Sequence, residues 1–236
     1  MWTTSAFWDN YVRFFTKLGY DTTAINLLHH GDSKDKLRHT GVVDYVKQVE
    51  HELSRLGGIR VVIGHSMGAL IAKKMAESGH ASQLVLMAAP GSTSMMMKNP
   101  AIYRTFSANI IDILLKRPFI IPERKAIHGL MNTLPLEQQS SLYRGFVYES
   151  GSAMHDIVCG RISIDSDKVR CPVLVIAGGR DRIAPPSMGK KVAIRYKASY
   201  REYPKHCHVS LVNGPGWEKP AGDIARWLES QNEQHR

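Results

Sequence analysis

The sequence has no apolar run long enough to cross a lipid bilayer. Its longest apolar runs, residues 84–90 and 173–177, have the length of a β-strand, whereas a membrane-spanning helix needs about 20 apolar residues. The first residues also lack the basic start, apolar core and small-residue cleavage site of a secretory signal. We therefore expect no transmembrane segment and a cytoplasmic location.

Cysteine is scarce, and histidine is not arranged for metal binding. The three cysteines, Cys159, Cys171 and Cys207, are odd in number and lack metal-ligand spacing, which favours a reducing compartment without a disulfide framework. Histidines occur in pairs at residues 29–30 and at 206 and 208, far apart and without the i, i+4 spacing of a helical metal site. The sequence predicts no metal site.

Acidic residues are fewer than basic ones, but the excess charge is dispersed. The chain has 31 Lys and Arg against 21 Asp and Glu, a net charge of +10. Long-range attraction of acidic partners follows from such a charge. However, the basic residues form no aromatic-interleaved patch and belong to no nucleic-acid-binding motif. We therefore expect a solvated basic surface and no nucleic-acid partner.

What the sequence does have is an alternation of strand-like and helix-like patterns. Apolar residues make up 43% of the chain, enough for one large core. Periodicity predicts strands at residues 21–28, 59–63, 83–89, 172–177 and 200–203, and helices at residues 7–18, 42–56, 67–78, 187–196 and around 224–228. Short connections between the alternating strands and helices predict an α/β fold with a mostly parallel, doubly wound sheet. The reactive loops of such a sheet lie at the carboxyl ends of its strands.

The alternation stops in the middle of the chain. Residues 92–167 are rich in methionine and aromatic residues, with helical patterns and no clear strand. We predict a helical cap inserted over the reactive edge at residues 91–168, between core parts at residues 1–90 and 169–236. Methionine and aromatic residues pack protein cores and also line apolar pockets. The pattern leaves both roles open for this cap.

One stretch carries a candidate nucleophile. Gly64, His65, Ser66, Met67 and Gly68 follow a β-branched strand and precede a helix. Gly-x-Ser-x-Gly in this context is typical of a nucleophilic serine on a strained turn, where both glycines supply room. A tight turn in another α/β protein, such as a phosphate loop, also fits these fixed positions.

A nucleophilic serine needs a base, and the base needs a group that holds it. Asp181 follows the predicted strand at residues 172–177, and His208 follows the next strand, with His206 as a rival base. The carboxyl ends of these strands lie at the same edge as Ser66. The order Ser, Asp, His therefore predicts a catalytic triad, although Asp181 taken alone also fits a solvated turn.

Together, residues 64–68, the Asp181 turn and the His208 loop resemble the α/β-hydrolase superfamily, and more narrowly its lysophospholipase-like and esterase-like members. Residues 29–33 are similar to the family's Gly-His-Gly-x-Ser, with His29 in place of the first glycine. The family's base usually follows a glycine. Cys207 stands at that place here, which favours His208 over His206.

The resemblance implies a role for each site residue. Ser66 attacks a carbonyl carbon, His208 relays the proton, and Asp181 orients the imidazolium. The backbone N–H of Met67 stabilises the oxyanion at the start of the following helix. No cofactor or metal takes part.

The implied activity is that of a serine hydrolase cleaving carboxylic esters, with a small-molecule ester substrate whose apolar acyl group is selected by the cap. The same triad also serves carbon–carbon bond hydrolases, thioesterases and cofactor-free haloperoxidases. The alternative of another class is a non-catalytic, hydrolase-like fragment that binds a ligand or partner.

The resemblance also implies a missing strand. In the family a strand ending in His-Gly precedes residues similar to 1–4 here and supplies the second oxyanion donor. That strand belongs between the strands predicted at residues 21–28 and 59–63. We therefore expect a gap in the middle of the sheet and hypothesise that the sequence is incomplete at its amino terminus. The alternative is that the strands close up, with Met1 near the oxyanion position.

Overall fold

The computed structural model describes residues 1–233 and has a parallel four-stranded sheet at its centre. The strands, in spatial as well as chain order, are β1 (Val61–His65), β2 (Gln83–Met87), β3 (Val173–Gly178) and β4 (Ser199–Tyr203). All three neighbouring pairs are parallel. The carboxyl ends of the four strands therefore lie at one edge, and the predicted parallel α/β architecture is confirmed.

Helices make up most of the remaining regular structure. They are α1 (Asp9–Lys17), α2 (Lys34–Leu37), α3 (Val42–Ser54), α4 (Met67–Glu77), α5 (Thr93–Met97), α6 (Pro100–Phe106), α7 (Ile110–Leu114), α8 (Glu123–Leu130), α9 (Leu136–Arg144), α10 (Gly151–Val158), α11 (Pro186–Arg195) and α12 (Glu218–Glu233). No helix within residues 1–233 is long and apolar enough to cross a membrane.

The apolar core lies on both faces of the sheet. In β2, Leu84 and Leu86 pack with residues of α4 and α11, and Val85 and Met87 pack on the other face with residues of α1 and α12. Every residue of β2 and β3 is buried, as expected for strands of a parallel sheet with both faces covered. This rigid centre fixes the loops at the carboxyl edge.

The segment between β2 and β3 contains α5 to α10 and, within residues 88–172, no strand. Several of its large side chains, including Phe119 and Met131, are fully buried. The ring of Trp2 lies 5.7 Å from the rings of both Phe106 and Phe119. These residues pack the segment between β2 and β3 onto the amino-terminal loop, so Phe106, Phe119 and Met131 belong to a core.

The strand predicted at residues 21–28 is wrong. These residues form no regular secondary structure, and within the described chain the N–H groups of residues 21–27 donate no hydrogen bond. A strand forms only where a neighbour satisfies its backbone, and β1 pairs with β2 alone. Residues 20–25 and β1 instead line one cavity of about 480 Å³. The strands do not close up, and the sheet of the described residues has no gap in its middle: β1 is its edge strand, and the cavity lies beside that edge.

Candidate active site

Ser66 stands at the sharp turn between β1 and α4. Its φ of 55° and ψ of −122° are unfavourable for a residue with a Cβ atom. The Ser66 N–H donates to the Met87 carbonyl at 3.0 Å, and the Ser66 carbonyl accepts from the Ala69 N–H at 3.0 Å. The sheet and the helix therefore hold this half-buried serine in its strained conformation at the carboxyl edge.

The two glycines that flank Ser66 are not equivalent. A Cβ atom on Gly64 would lie 2.4 Å from the Gly68 carbonyl oxygen and 2.7 Å from the Ala72 Cβ atom, whereas a Cβ atom on Gly68 would meet nothing within 4 Å. The expectation that both glycines supply room therefore holds for Gly64 only. Gly68 lies on the wall of the cavity beside β1.

Met67 is the first residue of α4. The N–H of a residue at this position has no partner within its own helix, and the helix dipole favours negative charge there. The Met67 backbone is thus a suitable donor for an anion that forms next to Ser66.

Asp181 and His208 form a buried pair. The distance between His208 Nδ1 and Asp181 Oδ2 is 2.8 Å, and both side chains are almost fully buried. Asp181 Oδ1 accepts from the N–H groups of Ile183 and Ala184 at 2.8 and 2.9 Å. An ionised carboxylate only accepts hydrogen bonds. His208 Nδ1 therefore carries the proton, and Nε2 remains free to act as a base.

The rival base His206 has other partners. Its Nδ1 lies 3.1 Å from the carbonyl oxygen of Ser210 and 3.3 Å from the Ser210 hydroxyl. Burial lowers the pKa of His206. The structure therefore brings His208, rather than His206, to Asp181.

Two adjacent glycines allow the acid turn to approach the histidine loop. A Cβ atom on Gly178 would lie 2.6 Å from the His206 carbonyl oxygen, and one on Gly179 would lie 2.6 Å from the Pro204 Cα atom. The Arg180 N–H donates to the His206 carbonyl at 2.8 Å. The Gly-Gly pair before Asp181 is a signal in the sequence that marks this close approach.

His65 connects the Ser66 turn to the His208 loop. Its Nε2 lies 2.9 Å from the His208 carbonyl oxygen, and the two imidazole rings are 4.8 Å apart. Burial, together with the nearby His208, holds the pKa of His65 well below its ordinary value. His65 directly precedes Ser66, so this contact places the two candidate residues close together. No hydrogen bond within residues 1–233 joins the Ser66 hydroxyl to His208.

Two side-chain amides from the segment between β2 and β3 also donate to the turn around Asp181. Asn99 Nδ2 donates to the carbonyls of Arg182 and Ile183 at 2.9 and 3.1 Å, and Asn132 Nδ2 donates to the Arg180 carbonyl at 3.1 Å. Sequence reasoning missed both residues because no local pattern marks an asparagine that contacts a turn far along the chain.

His30 lies in a separate buried cluster. Its Nε2 is 3.2 Å from Glu149 Oε1 and its Nδ1 is 2.9 Å from the Thr3 carbonyl oxygen, and the Tyr45 hydroxyl donates to the same Glu149 oxygen at 2.9 Å. Residues 1–233 contain no group of three or more His, Cys, Asp or Glu side chains arranged to hold a metal ion.

With this geometry established, comparison with known proteins identifies the family. A family model described as the alpha/beta hydrolase family matches residues 1–224. The chain belongs to the alpha/beta hydrolase family. The family assignment agrees with the parallel sheet, the serine turn and the order of the three candidate residues.

Solved structures of similar fold include enzymes that act on esters. Polyneuridine aldehyde esterase is 14% identical with a TM-score of 0.70, covering 95% of this chain and 95% of that one. A methylesterase from Arabidopsis is 13% identical with a TM-score of 0.72, covering 96% and 94%. A pyrethroid hydrolase from Sphingobium faniae is 16% identical with a TM-score of 0.72, covering 98% and 95%. At this identity the likeness concerns the fold of these hydrolases.

A curated relative matches only a short part of the chain. An uncharacterized 31.7 kDa protein of Escherichia coli, from the traX-finO intergenic region, is 35% identical over 66 residues. The match covers 26% of this chain and 23% of the relative. This similarity therefore carries no functional argument.

Proposed function

We propose that this alpha/beta hydrolase is a serine hydrolase that cleaves carboxylic esters through an acyl-enzyme on Ser66. The observation that carries the proposal is the buried 2.8 Å pair of Asp181 and His208. The His208 backbone contacts His65, the residue before Ser66, whose φ is 55°. A strained serine next to an oriented imidazole is the arrangement that activates a hydroxyl group.

The first half of the reaction forms the acyl-enzyme. His208 Nε2 takes the Ser66 hydroxyl proton while Oγ attacks the ester carbonyl carbon. The Met67 N–H donates to the resulting oxyanion at the start of α4. The C–O bond to the leaving alcohol then breaks, and the alcohol departs with the proton from His208.

The second half repeats these steps with water. His208 removes a proton from water, the hydroxide attacks the acyl carbonyl, and Ser66 leaves with the proton. Asp181 remains ionised throughout and stabilises the charged imidazole. The reaction needs no cofactor, and its products are a carboxylic acid and an alcohol.

The first test is reaction with a fluorophosphonate probe, which phosphonylates an activated serine. We expect labelling of the wild type and none of Ser66→Ala, while Ser78→Ala, which alters a serine at the end of α4, labels like the wild type. Equal labelling of the wild type and Ser66→Ala would overturn the assignment of the nucleophile.

We further propose that the substrate is a small-molecule ester with an apolar acyl group. Three apolar residues of the inserted segment, Met95, Met96 and Ile102, are partly buried at the margin of the core and support this choice. In a series of p-nitrophenyl esters we expect kcat/KM to rise from acetate to decanoate. Each 1.4 kcal/mol by which the longer acyl chain stabilises the transition state raises kcat/KM about tenfold. Turnover of the acetate alone would contradict the proposal, and faster turnover of the matching thioesters would identify a thioesterase instead.

A non-catalytic, ligand-binding protein is the second candidate. Two observations favour it: the cavity beside His65 and Met67, and the lack of a hydrogen bond between Ser66 and His208 in the described chain. Absence of labelling in a sample with a cooperative unfolding transition would support this candidate, whereas labelling that requires Ser66 excludes it.

A further inference from the structure

Helix α7, in the segment between β2 and β3, presents an apolar face to solvent. The exposed fractions are 49%, 68%, 65% and 52% for Ile110, Ile111, Leu114 and Leu115. The Leu115 N–H donates to the Ile111 carbonyl at 2.9 Å, so helical spacing continues through Leu115 and the four side chains share one face. Single exposed apolar residues are common, whereas a contiguous group of them marks an interaction site. We call these four residues the α7 face.

The other side of α7 is held against the protein. Ile113 is buried and belongs to the main apolar core. A Cβ atom on Gly151, the first residue of α10, would lie 2.7 Å from the Arg117 nitrogen, so the backbone that follows α7 lies directly against α10. Since Ile113 already occupies the core, these contacts fix α7 with the α7 face directed outward.

Two basic residues follow the α7 face directly. The Lys116 N–H donates to the Ile113 carbonyl at 3.2 Å and the Arg117 N–H to the Asp112 carbonyl at 2.7 Å, the two bonds of a Schellman motif. Lys116 has a φ of 54°, where glycine is the usual residue. Both basic side chains are exposed, and neither forms an ion pair within residues 1–233.

The charge around the α7 face favours an anionic partner. Residues 98–122 contain one acidic residue, Asp112, against four basic residues that are all exposed, Lys98, Arg104, Lys116 and Arg117. The whole chain has a net charge of +10, which attracts an anionic surface over a long range. A second copy related by two-fold symmetry would bring both pairs of basic residues at positions 116 and 117 to one interface, where like charges repel. The α7 face is therefore poorly suited to self-association.

The shape of the α7 face favours lipid over a folded protein. Side chains that are about half exposed or more project from the surface and do not line a groove. A lipid layer accepts a projecting apolar group without a complementary pocket. The face consists of isoleucine and leucine, whereas protein interfaces derive most of their binding energy from Trp, Tyr and Arg. An apolar face bordered by Lys and Arg is typical of helices that lie in the membrane interface.

From these observations we propose that the α7 face docks the protein onto an anionic phospholipid bilayer. Its four side chains enter the boundary between headgroups and acyl chains, while Lys116 and Arg117 lie at the level of the anionic headgroups. The attachment is peripheral and reversible, because four apolar side chains bury far less area than a membrane-spanning helix of about 20 residues. This binding goes beyond the proposed ester hydrolysis and does not require it.

Sedimentation with lipid vesicles tests the docking directly. The probe vesicles contain phosphatidylcholine and phosphatidylserine in equal amounts, and the control vesicles contain phosphatidylcholine alone. We expect the 236-residue chain to bind the anionic vesicles more tightly by about tenfold or more, and this preference to be lost at about 1 M salt, where charges are screened within about 3 Å. Ser66→Ala should bind equally, which separates docking from hydrolysis. Absence of binding to the anionic vesicles would overturn the proposal.

A pair of serine substitutions tests the apolar contribution. Ile111→Ser combined with Leu114→Ser changes the two most exposed residues of the α7 face, so the fold should be retained, as a cooperative unfolding transition would show. We expect vesicle binding to weaken by about tenfold or more. The control is Ile194→Ser in α11, which changes a single apolar residue that is 78% exposed and should bind like the wild type. Unchanged binding by the double variant, or weaker binding by the control, contradicts the site.

Two lysines in the same backbone conformation test the charge contribution. Lys197 has a φ of 49°, and its N–H donates to the Ile194 carbonyl at 3.2 Å, so it ends α11 as Lys116 ends α7. Lys116→Gly and Lys197→Gly each remove one positive charge and one strained residue, and neither should destabilise the fold. We expect only Lys116→Gly to weaken vesicle binding, by about fivefold.

Two further results would refute the assignment. Equal weakening by both glycine variants would mean that net charge, and not the α7 face, determines binding. Concentration-dependent dimerisation that Ile111→Ser with Leu114→Ser abolishes, in a chain that does not bind vesicles, would assign the face to a second copy.

Discussion

The imidazole of His65 donates its Nε2 hydrogen to the backbone carbonyl of His208 across 2.9 Å. The direction is fixed because a carbonyl oxygen only accepts. Burial and the adjacent His208 ring hold the pKa of His65 well below its ordinary value, so His65 remains neutral. The residue before the candidate nucleophile thereby positions the candidate base.

This contact makes His65 a positioning residue whose loss should affect kcat. His65→Phe keeps an aromatic ring but leaves the His208 carbonyl without its donor, a loss of about 1 to 3 kcal/mol for a buried acceptor. We expect kcat for an ester substrate to fall about tenfold with little change in KM. His65→Gln retains an N–H donor and should recover part of the loss. Equal kcat in His65→Phe and wild type would show that the hydrogen bond has no role in positioning.

Asp181 should be essential for the proposed reaction. In Asp181→Asn the side chain can present an amide N–H to His208 Nδ1, which favours the tautomer that cannot accept the Ser66 proton at Nε2. We expect kcat to fall by about 10⁴-fold, as such substitutions do in serine hydrolases. The exposed Asp167 provides the control, since Asp167→Asn should leave kcat unchanged. A fall of less than about tenfold would indicate that Asp181 only stabilises its turn.

The strained backbone of Ser66 predicts a stability effect that is independent of catalysis. Strain at such a residue costs about 1 to 3 kcal/mol, and glycine relieves it. We expect Ser66→Gly to exceed Ser66→Ala in free energy of unfolding by about 1 kcal/mol, measured by urea denaturation. Ser78 has a φ of −83°, so Ser78→Gly should be less stable than Ser78→Ala. The opposite order at position 66 would mean that the turn is not strained.

Local patterns predicted the elements that carry Ser66 and Asp181. Continuous apolar runs mark β2 and β3 because both faces of these strands are buried. Position 64 requires glycine because a Cβ atom there would clash with Gly68 and Ala72, which are only four and eight residues away. The turn at Asp181 follows from its place directly after β3. Each of these features is encoded within a short window of sequence.

Features that depend on distant partners were not predictable in this way. Residues 21–28 have a strand pattern, but a strand also needs a paired neighbour, which the described sheet does not provide. The donors Asn99 and Asn132 contact a turn more than 40 residues away along the chain. His30 has no local feature that indicates its contact with Glu149, 119 residues away.

The pair of His30 and Glu149 is the most deeply buried ionisable contact outside the candidate site. Their side chains are 2% and 0% exposed. Both ring nitrogens of His30 face acceptor oxygens, one on Glu149 and one on Thr3. Burial alone raises the pKa of Glu149, but His30 and the Ser150 N–H lower it, and the net shift is downward from the ordinary value of 4.5. The pair joins the amino-terminal loop to the inserted segment.

Glu149 should therefore make stability depend on acid pH. Because its folded-state pKa lies below its unfolded value, ionised Glu149 stabilises the fold at neutral pH, and this contribution is lost as the pH falls through the folded-state pKa. Glu149→Gln removes the carboxylate that contacts His30 and the Tyr45 hydroxyl, and we expect the free energy of unfolding at neutral pH to fall by about 1 to 3 kcal/mol. Urea denaturation from neutral to acid pH should then show a weaker loss of stability in Glu149→Gln than in wild type. Tyr45→Phe removes one hydrogen bond to Glu149 but keeps the carboxylate beside His30, so it should retain most of the acid-dependent loss of stability seen in the wild type. If Glu149→Gln lost free energy of unfolding as steeply as the wild type when the pH falls, other carboxylates would control the acid transition.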